Sequence, residues 1–153
     1  MRNLGLVCCA VLLLGCCALA QKAEFSGSYA HLTGPVDKDG FNLSAAWLPN
    51  RYVGFEADGG GYFGSGAIVG TDNAYTIAGG VRVKLTKKYK LITPWVHLLA
   101  GGAREFSNSY FMVMGGGGID IGNKRVGARL KLDVVNFNDG THARAALGLV
   151  VRP

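Results

Sequence analysis

The sequence predicts an all-β fold, an eight-stranded antiparallel up-and-down transmembrane β-barrel. Three observations support this prediction. Residues 21–153 contain eight segments close in length to the strands of transmembrane barrels. In each segment every second residue is mostly apolar, and we call such an alternate set of residues a parity of the strand. The number of segments is even, as in barrels that cross the bacterial outer membrane. The polar parity holds many Gly, Ser and Ala residues and a few charges, which we do not expect to build a dry core.

The eight strand candidates follow one another with no convincing amphipathic helix and no linker between them. We therefore expect residues 21–153 to form one barrel domain. The candidates cover residues 24–32, 41–48, 52–63, 74–85, 91–103, 110–121, 126–137 and 142–151.

The second strand candidate illustrates the alternation. Phe41, Leu43 and Trp47 lie on one parity, and Asn42 and Ser44 lie on the other. A transmembrane barrel turns such an apolar face to the lipid, whereas a soluble barrel of the lipocalin kind buries it. Alternation alone does not separate these two folds, so a soluble periplasmic barrel that binds a small hydrophobic ligand remains the alternative.

The connections between the strand candidates alternate in character. Residues 49–51, 86–90 and 122–125 are short and basic, while residues 34–40, 64–73, 104–109 and 138–141 are mostly longer and rich in Gly, Asn, Asp or Ser. Short turns at one end and longer loops at the other are typical of transmembrane barrels. Aromatic residues near strand ends, among them Trp47, Tyr62 and Tyr110, are also typical of the girdles at the two membrane interfaces.

The first twenty residues read as a secretory signal peptide. Arg2 precedes an apolar run over residues 4–19, and the small-residue site Ala18-Leu19-Ala20 lies directly before Gln21. We expect cleavage after Ala20 and export of the remaining chain. Lipidation at Cys16, in the sequence Leu13-Leu14-Gly15-Cys16, is the alternative.

Several classes of site are not expected. All four cysteines lie within residues 8–17, so the mature chain has no disulfide framework and no cysteine metal site. The three histidines, His31, His97 and His142, show no metal-ligand spacing. The net charge is +6, but the basic residues are scattered, so we expect no nucleic-acid partner. We predict no metal and no cofactor.

Four consecutive glycines, Gly115–Gly118, precede the seventh strand candidate. A phosphate-binding loop is excluded because Asn123, and not Lys124, follows Gly122 directly. In a narrow barrel, Gly116 and Gly118 facing inward would leave room for larger neighbours. Gly115 and Gly117 would then face the lipid and ease bending of the strand.

The inward parity carries a set of charges that we predict to form a connected structural network. Glu56 and Asp58 are expected to face Arg82 and Lys84 on the next strand, and Asp120 is expected to lie diagonally to Arg129. Buried charges persist only when they are paired and hydrogen-bonded, so the network should plug the lumen. Its predicted members are Glu56, Asp58, Arg82, Lys84, Asp120, Arg129, Lys131, Asp133 and Arg144.

The stretches "ITPWVHLLAGGARE", "MVMGGGGIDIGNKRVGARLKLDVV" and "ARAALGLVVRP" resemble the OmpA-like outer-membrane β-barrel domain family. The residues that match its pattern are Gly116 to Gly118, Asp120, Arg129 and Asp133. Barrels of that family commonly end in an aromatic residue that the assembly machinery reads, and Val151-Arg152-Pro153 departs from this. The resemblance implies a small barrel in the outer membrane, in contact with its lipids and inserted by the barrel-assembly machinery.

The expected function is a structural, adhesive or envelope-integrity role for a monomer without enzymatic activity. Some eight-stranded outer-membrane barrels are lipid-modifying enzymes that use a histidine, so this activity is a less favoured alternative. His97 is the one histidine well inside a strand candidate, and its parity beside Trp95 and Leu99 makes it a lumen residue. No catalytic residue is therefore predicted.

Overall fold

The computed structural model describes residues 23–33, 37–64, 73–85, 91–105, 108–138 and 140–153. The predicted signal peptide, residues 1–20, and the lipidation alternative at Cys16 lie outside the described residues. Over the described part of the chain, no helix is long and apolar enough to cross a membrane.

Eight strands form a closed antiparallel barrel in which each strand pairs with its neighbours in the sequence. β1 pairs with β8 from Phe25↔Val151 to Thr33↔Ala143 and closes the barrel. The predicted fold class is confirmed. The strands are β1 (Ala23–Thr33), β2 (Lys38–Trp47), β3 (Val53–Phe63), β4 (Asn73–Lys84), β5 (Ile92–Glu105), β6 (Asn108–Gly122), β7 (Val126–Phe137) and β8 (Gly140–Val151).

The two ends of the barrel differ in what they hold. We call the end with Ala23 and Val151 the terminal end, and the opposite end the loop end. The predicted difference in connection length between these ends is wrong in part. β5 and β6 are joined by two residues, as are β7 and β8, so two of the four connections at the loop end are hairpins shorter than the turns at the terminal end.

The apolar parity faces outward around the whole barrel. Leu43 is 59% exposed, Ile77 73% and Leu132 70%, which are values that a soluble fold would not tolerate over a continuous band. The arrangement of a soluble ligand carrier, in which this face is buried, is therefore not observed. A hydrocarbon environment accounts for the exposed band, as in transmembrane barrels.

Candidate functional site

The nine predicted network residues all lie on the inward parity of their strands. Eight of the nine are buried, with at most 3% of each residue exposed, and Lys84 is half-buried at the terminal end. In a barrel of eight strands the interior is just wide enough for side chains to fill it. Side chains from strands that are not neighbours therefore meet across the lumen.

Asp120 accepts hydrogen bonds from three side chains near the terminal end. Arg129 makes two parallel bonds to it, from Nε to Oδ1 at 2.8 Å and from Nη2 to Oδ2 at 3.0 Å. Trp95 Nε1 donates to the same carboxylate at 3.0 Å, and Arg152 Nη2 donates to Oδ2 at 2.5 Å. The predicted diagonal placement is wrong, because Asp120 and Arg129 are direct cross-strand partners.

Arg82 lies next to this group and has no exposed surface. Its guanidinium stacks on the Trp95 ring, 4.0 Å from the ring centroid. Three carboxylates surround it at 3.5 to 4.0 Å, those of Glu24, Glu56 and Asp120. These separations are longer than hydrogen bonds, so Arg82 is stabilised by charge and by the aromatic face.

A second group of charges lies closer to the loop end, around Asp58 and Asp133. Arg144 donates to Asp58 Oδ1 at 2.9 Å and also contacts Asp133 Oδ2 at 2.6 Å. Lys131 Nζ donates to Asp58 Oδ2 at 2.5 Å. Because these contacts join β3 to β7 and β8 across the lumen, the network holds opposite walls of the barrel together.

His97 connects the two groups. Its Nδ1 lies 3.0 Å from Glu56 Oε2, and its Nε2 lies 2.8 Å from Asp133 Oδ1. Both ring nitrogens are thus occupied by buried carboxylates. His97 is a lumen residue by parity, but its role as a bridge between two network members could not be derived from alternation.

The predicted pairing between β3 and β4 is wrong in part. Glu56 lies 4.0 Å from Arg82, but Asp58 is opposite Ala78 and bonds across the lumen to Arg144. Lys84 instead forms an ion pair with Glu24 on β1. The register places each charge of β3 opposite a small residue of β4, and the free space lets long cationic side chains enter from the far wall.

Further members of the network were missed at the sequence level, among them Ser26, which accepts a bond from Arg129 Nη1 at 3.0 Å. Glu24 and Asn42 lie on the inward parity of β1 and β2, so alternation alone could have identified them. Tyr62 was assigned to an interfacial girdle, yet it is 1% exposed and accepts a bond from Arg144 at 3.1 Å. No sequence signal marked Trp95 or Arg152 as partners of Asp120.

The loop-end half of the lumen is apolar on β1 and β3–β8, with the buried Lys38 of β2 opposite Leu32 as a charged exception, and this corrects the expectation of a polar lumen. Side chains of β1, β3–β8 meet there in a buried cluster, and Tyr110 and Phe137 pack against it. Alternation failed here because both parities are apolar around Leu99 and Met114. The cluster comprises Ala30, Leu32, Tyr62, Ala74, Ala78, Leu99, Ala103, Met112, Met114, Val135 and Ala146.

The four-glycine row now has a structural explanation. A Cβ at Gly116 would lie 2.2 Å from Asp133 Oδ1, and one at Gly118 would lie 2.7 Å from Trp95 Cζ2. These two inward glycines therefore leave the space that a network carboxylate and the Trp95 ring occupy. On the outward side, a Cβ at Gly115 would meet only Leu98 Cδ1, at 3.7 Å.

The arrangement offers little for chemistry at its charged centre. Each carboxylate of the network is in contact with cations from other strands, and no group of three or more His, Cys, Asp or Glu residues in the described chain could hold a metal ion. The charged side chains of the network therefore pair with one another.

No family model matches the sequence, and no curated protein matches it. Similar solved structures exist. Neisserial surface protein A is 12% identical with a TM-score of 0.67, over 86% of this chain and 96% of that one. The attachment invasion locus protein Ail of Yersinia pestis is 15% identical with a TM-score of 0.61, over 84% and 96%.

The outer membrane enzyme PagL is 13% identical with a TM-score of 0.57, over 84% of this chain and 98% of that one. At such identities the likeness shows the fold alone. Because an attachment protein and an enzyme share it, the fold does not decide between their activities. The predicted resemblance is confirmed at the level of the fold, and the chain is an eight-stranded barrel of the type found in small outer-membrane proteins.

Proposed function

We propose that this protein is a small, monomeric outer-membrane barrel with a structural or adhesive role in the cell envelope and a lumen closed to ions. The observation that carries this proposal is the filling of the interior. A charge network occupies the half at the terminal end, and an apolar cluster occupies the half at the loop end. An ion that crosses the barrel would have to break the charge network and lose its hydration water in the apolar cluster.

The outward apolar band supports a location in a membrane. The fold shared with small outer-membrane proteins supports the outer membrane as that location. We further propose that the terminal end faces the periplasm, because the longest connection, residues 64–72 between β3 and β4, lies at the loop end and the long loops of such barrels are extracellular. Insertion would then rest on the barrel-assembly machinery, and the surrounding lipids would be the main partners of the outward face.

A catalytic role receives no support from the lumen. His97 has both nitrogens engaged with carboxylates, so it has no free position from which to accept a proton from a substrate. The apolar cluster lies between it and the loop end. The proposal therefore includes no enzymatic activity.

Two measurements test the proposal. Fractionation of cells should recover the protein with the outer membrane, in a form that needs detergent for extraction. Planar-bilayer recording of the refolded protein should show baseline conductance beside a porin as positive control. Recovery in the soluble fraction would contradict the membrane location, and a steady conductance proportional to salt would contradict the closed lumen.

A further inference from the structure

The connections of the barrel divide their charges between its two ends. The three connections at the terminal end contain six Lys or Arg residues and no Asp or Glu, whereas the four at the loop end contain three Asp residues and no Lys or Arg. A surface of one charge sign raises the local concentration of ions of the opposite sign. Anions are therefore attracted to the terminal end of the barrel.

A cavity of about 550 Å³ lies at the terminal mouth of the lumen. Its walls include Glu24, Lys84 and Asp120 of the inward parity, together with the turn residues Arg51 and Lys124. The cavity is therefore enclosed by the ring of strands, which separates it from the hydrocarbon. Its volume is within the range of sites that bind small molecules.

Two of the four cationic side chains that line the cavity are already paired. Lys84 forms an ion pair with Glu24. Arg152 donates to Glu24 Oε1 at 2.7 Å and to Asp120 Oδ2 at 2.5 Å. Both carboxylates of the lining are thus engaged by cations of the lumen.

The other two cations, Arg51 and Lys124, are exposed and have no carboxylate partner in the part of the chain that the structure describes. Arg51 belongs to the β2–β3 turn and Lys124 to the β6–β7 turn, so they lie on opposite walls, four strands apart. Both nevertheless line the same cavity. A ligand in this cavity is therefore within reach of both turns.

The two turns are built alike. Asn50 Oδ1 accepts bonds from the backbone N–H groups two and three residues ahead, at 2.9 and 2.8 Å, and Asn123 Oδ1 does the same at 2.8 Å for each. The side-chain NH₂ groups of both asparagines, which also line the cavity, make no bond within the described residues. Each turn thus offers one unpaired cation and one amide donor.

We propose that the terminal mouth binds the phosphate group of a small soluble phosphate ester, held between Arg51 and Lys124. A phosphate monoester carries about two negative charges and three acceptor oxygens, so one group can accept bonds from both turns. Arginine can donate two parallel bonds to it, and lysine binds it as a point charge. A phospholipid headgroup is a poorer occupant, because the strands separate the cavity from the lipid. The cavity is present whichever way the barrel is oriented, so this site is independent of the proposed function.

Amide NMR spectra of the protein, refolded in a detergent that contains no phosphate, test this site with glycerol 3-phosphate as the probe. We expect the side-chain NH₂ signals of Asn50 and Asn123 to shift together and to saturate with one dissociation constant. Succinate should bind more weakly at the same ionic strength, because its two charges are on separate groups.

Arg51→Gln should weaken the binding of glycerol 3-phosphate by about tenfold, the factor that corresponds to one charge-assisted hydrogen bond. The shifts should weaken at both turns, because one phosphate bridges them. Lys124→Gln should have the same effect. Arg125→Gln is the matched control, since it removes an exposed cation from the same turn that does not line the cavity, and it should leave the dissociation constant nearly unchanged.

The absence of a saturable shift at the two turns would overturn the proposed site. Equal weakening by Lys124→Gln and Arg125→Gln would also overturn it, because it would show only a general attraction to a basic surface. An Arg51→Gln variant that changed the signals of its own turn alone would rule out one bridging phosphate. Succinate that bound as tightly as the probe would contradict a phosphate ligand.

The source of the phosphate is tested by adding phosphatidylglycerol to the micelles. We expect this lipid to leave glycerol 3-phosphate bound, because its headgroup stays on the outer side of the strands. Displacement of the probe would assign the site to a lipid headgroup and would overturn a soluble ligand.

Discussion

Arg129 and Asp120 are direct cross-strand partners in the lumen and share two parallel hydrogen bonds of 2.8 and 3.0 Å. Both side chains are at most 2% exposed. Such a bidentate pair is the strongest arrangement that these two groups can form. Because both side chains are buried, removing one partner leaves the other as a buried charge.

We predict that Arg129→Leu lowers the free energy of unfolding by about 3 kcal/mol, the lower part of the range for a broken buried pair. Asp120 keeps its bonds to Trp95 and Arg152, which limits the loss. This loss in the free energy of unfolding is measured by urea titration in lipid vesicles, with gels that separate folded from unfolded barrel. Arg125→Leu in the exposed turn is the control, and equal stability of the two variants would contradict a role for the network.

The double variant Arg129→Leu, Asp120→Leu should lose less stability than the sum of the two single variants. Replacing both members of a buried pair by apolar residues removes the two charges together, so neither is left buried without its partner. The same urea titration of all four proteins gives the coupling energy, which we expect to exceed about 1 kcal/mol. Strict additivity would show that the two side chains act independently.

His97 should be as important as the arginines, although it is a single small side chain. His97→Ala removes the link between Glu56 and Asp133, and Glu56 then keeps only the distant Arg82 at 4.0 Å. We expect a loss of about 3 kcal/mol in unfolding free energy. The control is His31→Ala, which breaks an exposed contact with Asp39 and should have little effect. Similar unfolding midpoints for the two variants would rule out the bridge.

The sequence was informative about which way each side chain points, and much less about what it touches. Alternation of period two places Asp58 and Arg144 inside once the outward face is known. Their contact depends on the stagger at which eight strands close, and that stagger involves residues far apart in the chain. The apolar half of the lumen was missed for a different reason. Around Leu99 and Met114 both faces of the strand are apolar, so alternation carries no information there.

The glycine row offers a test of packing inside the barrel. Gly116→Ala should destabilise the protein by about 1 to 3 kcal/mol, because the new Cβ would collide with Asp133 Oδ1 and, at 2.4 Å, with the Leu132 carbonyl oxygen. Gly115→Ala is the matched control on the outward side, where the nearest atom is 3.7 Å away. Unfolding titrations of both proteins measure the difference. A larger loss at Gly115 would mean that the inward glycines do not serve the network.

The lipid face is tested at Leu130, near the middle of β7 and 43% exposed. Leu130→Arg should reduce the free energy of folding into vesicles by about 2 to 4 kcal/mol, the cost of an arginine at the midplane of a barrel. Leu130→Ala keeps an apolar side chain and should cost clearly less, because no charge enters the hydrocarbon. Folding titrations of both variants in the same vesicles give the two values. If the arginine and alanine variants were equally stable, Leu130 would not face the hydrocarbon, and the outward placement of the apolar parity would be wrong for this wall of the barrel.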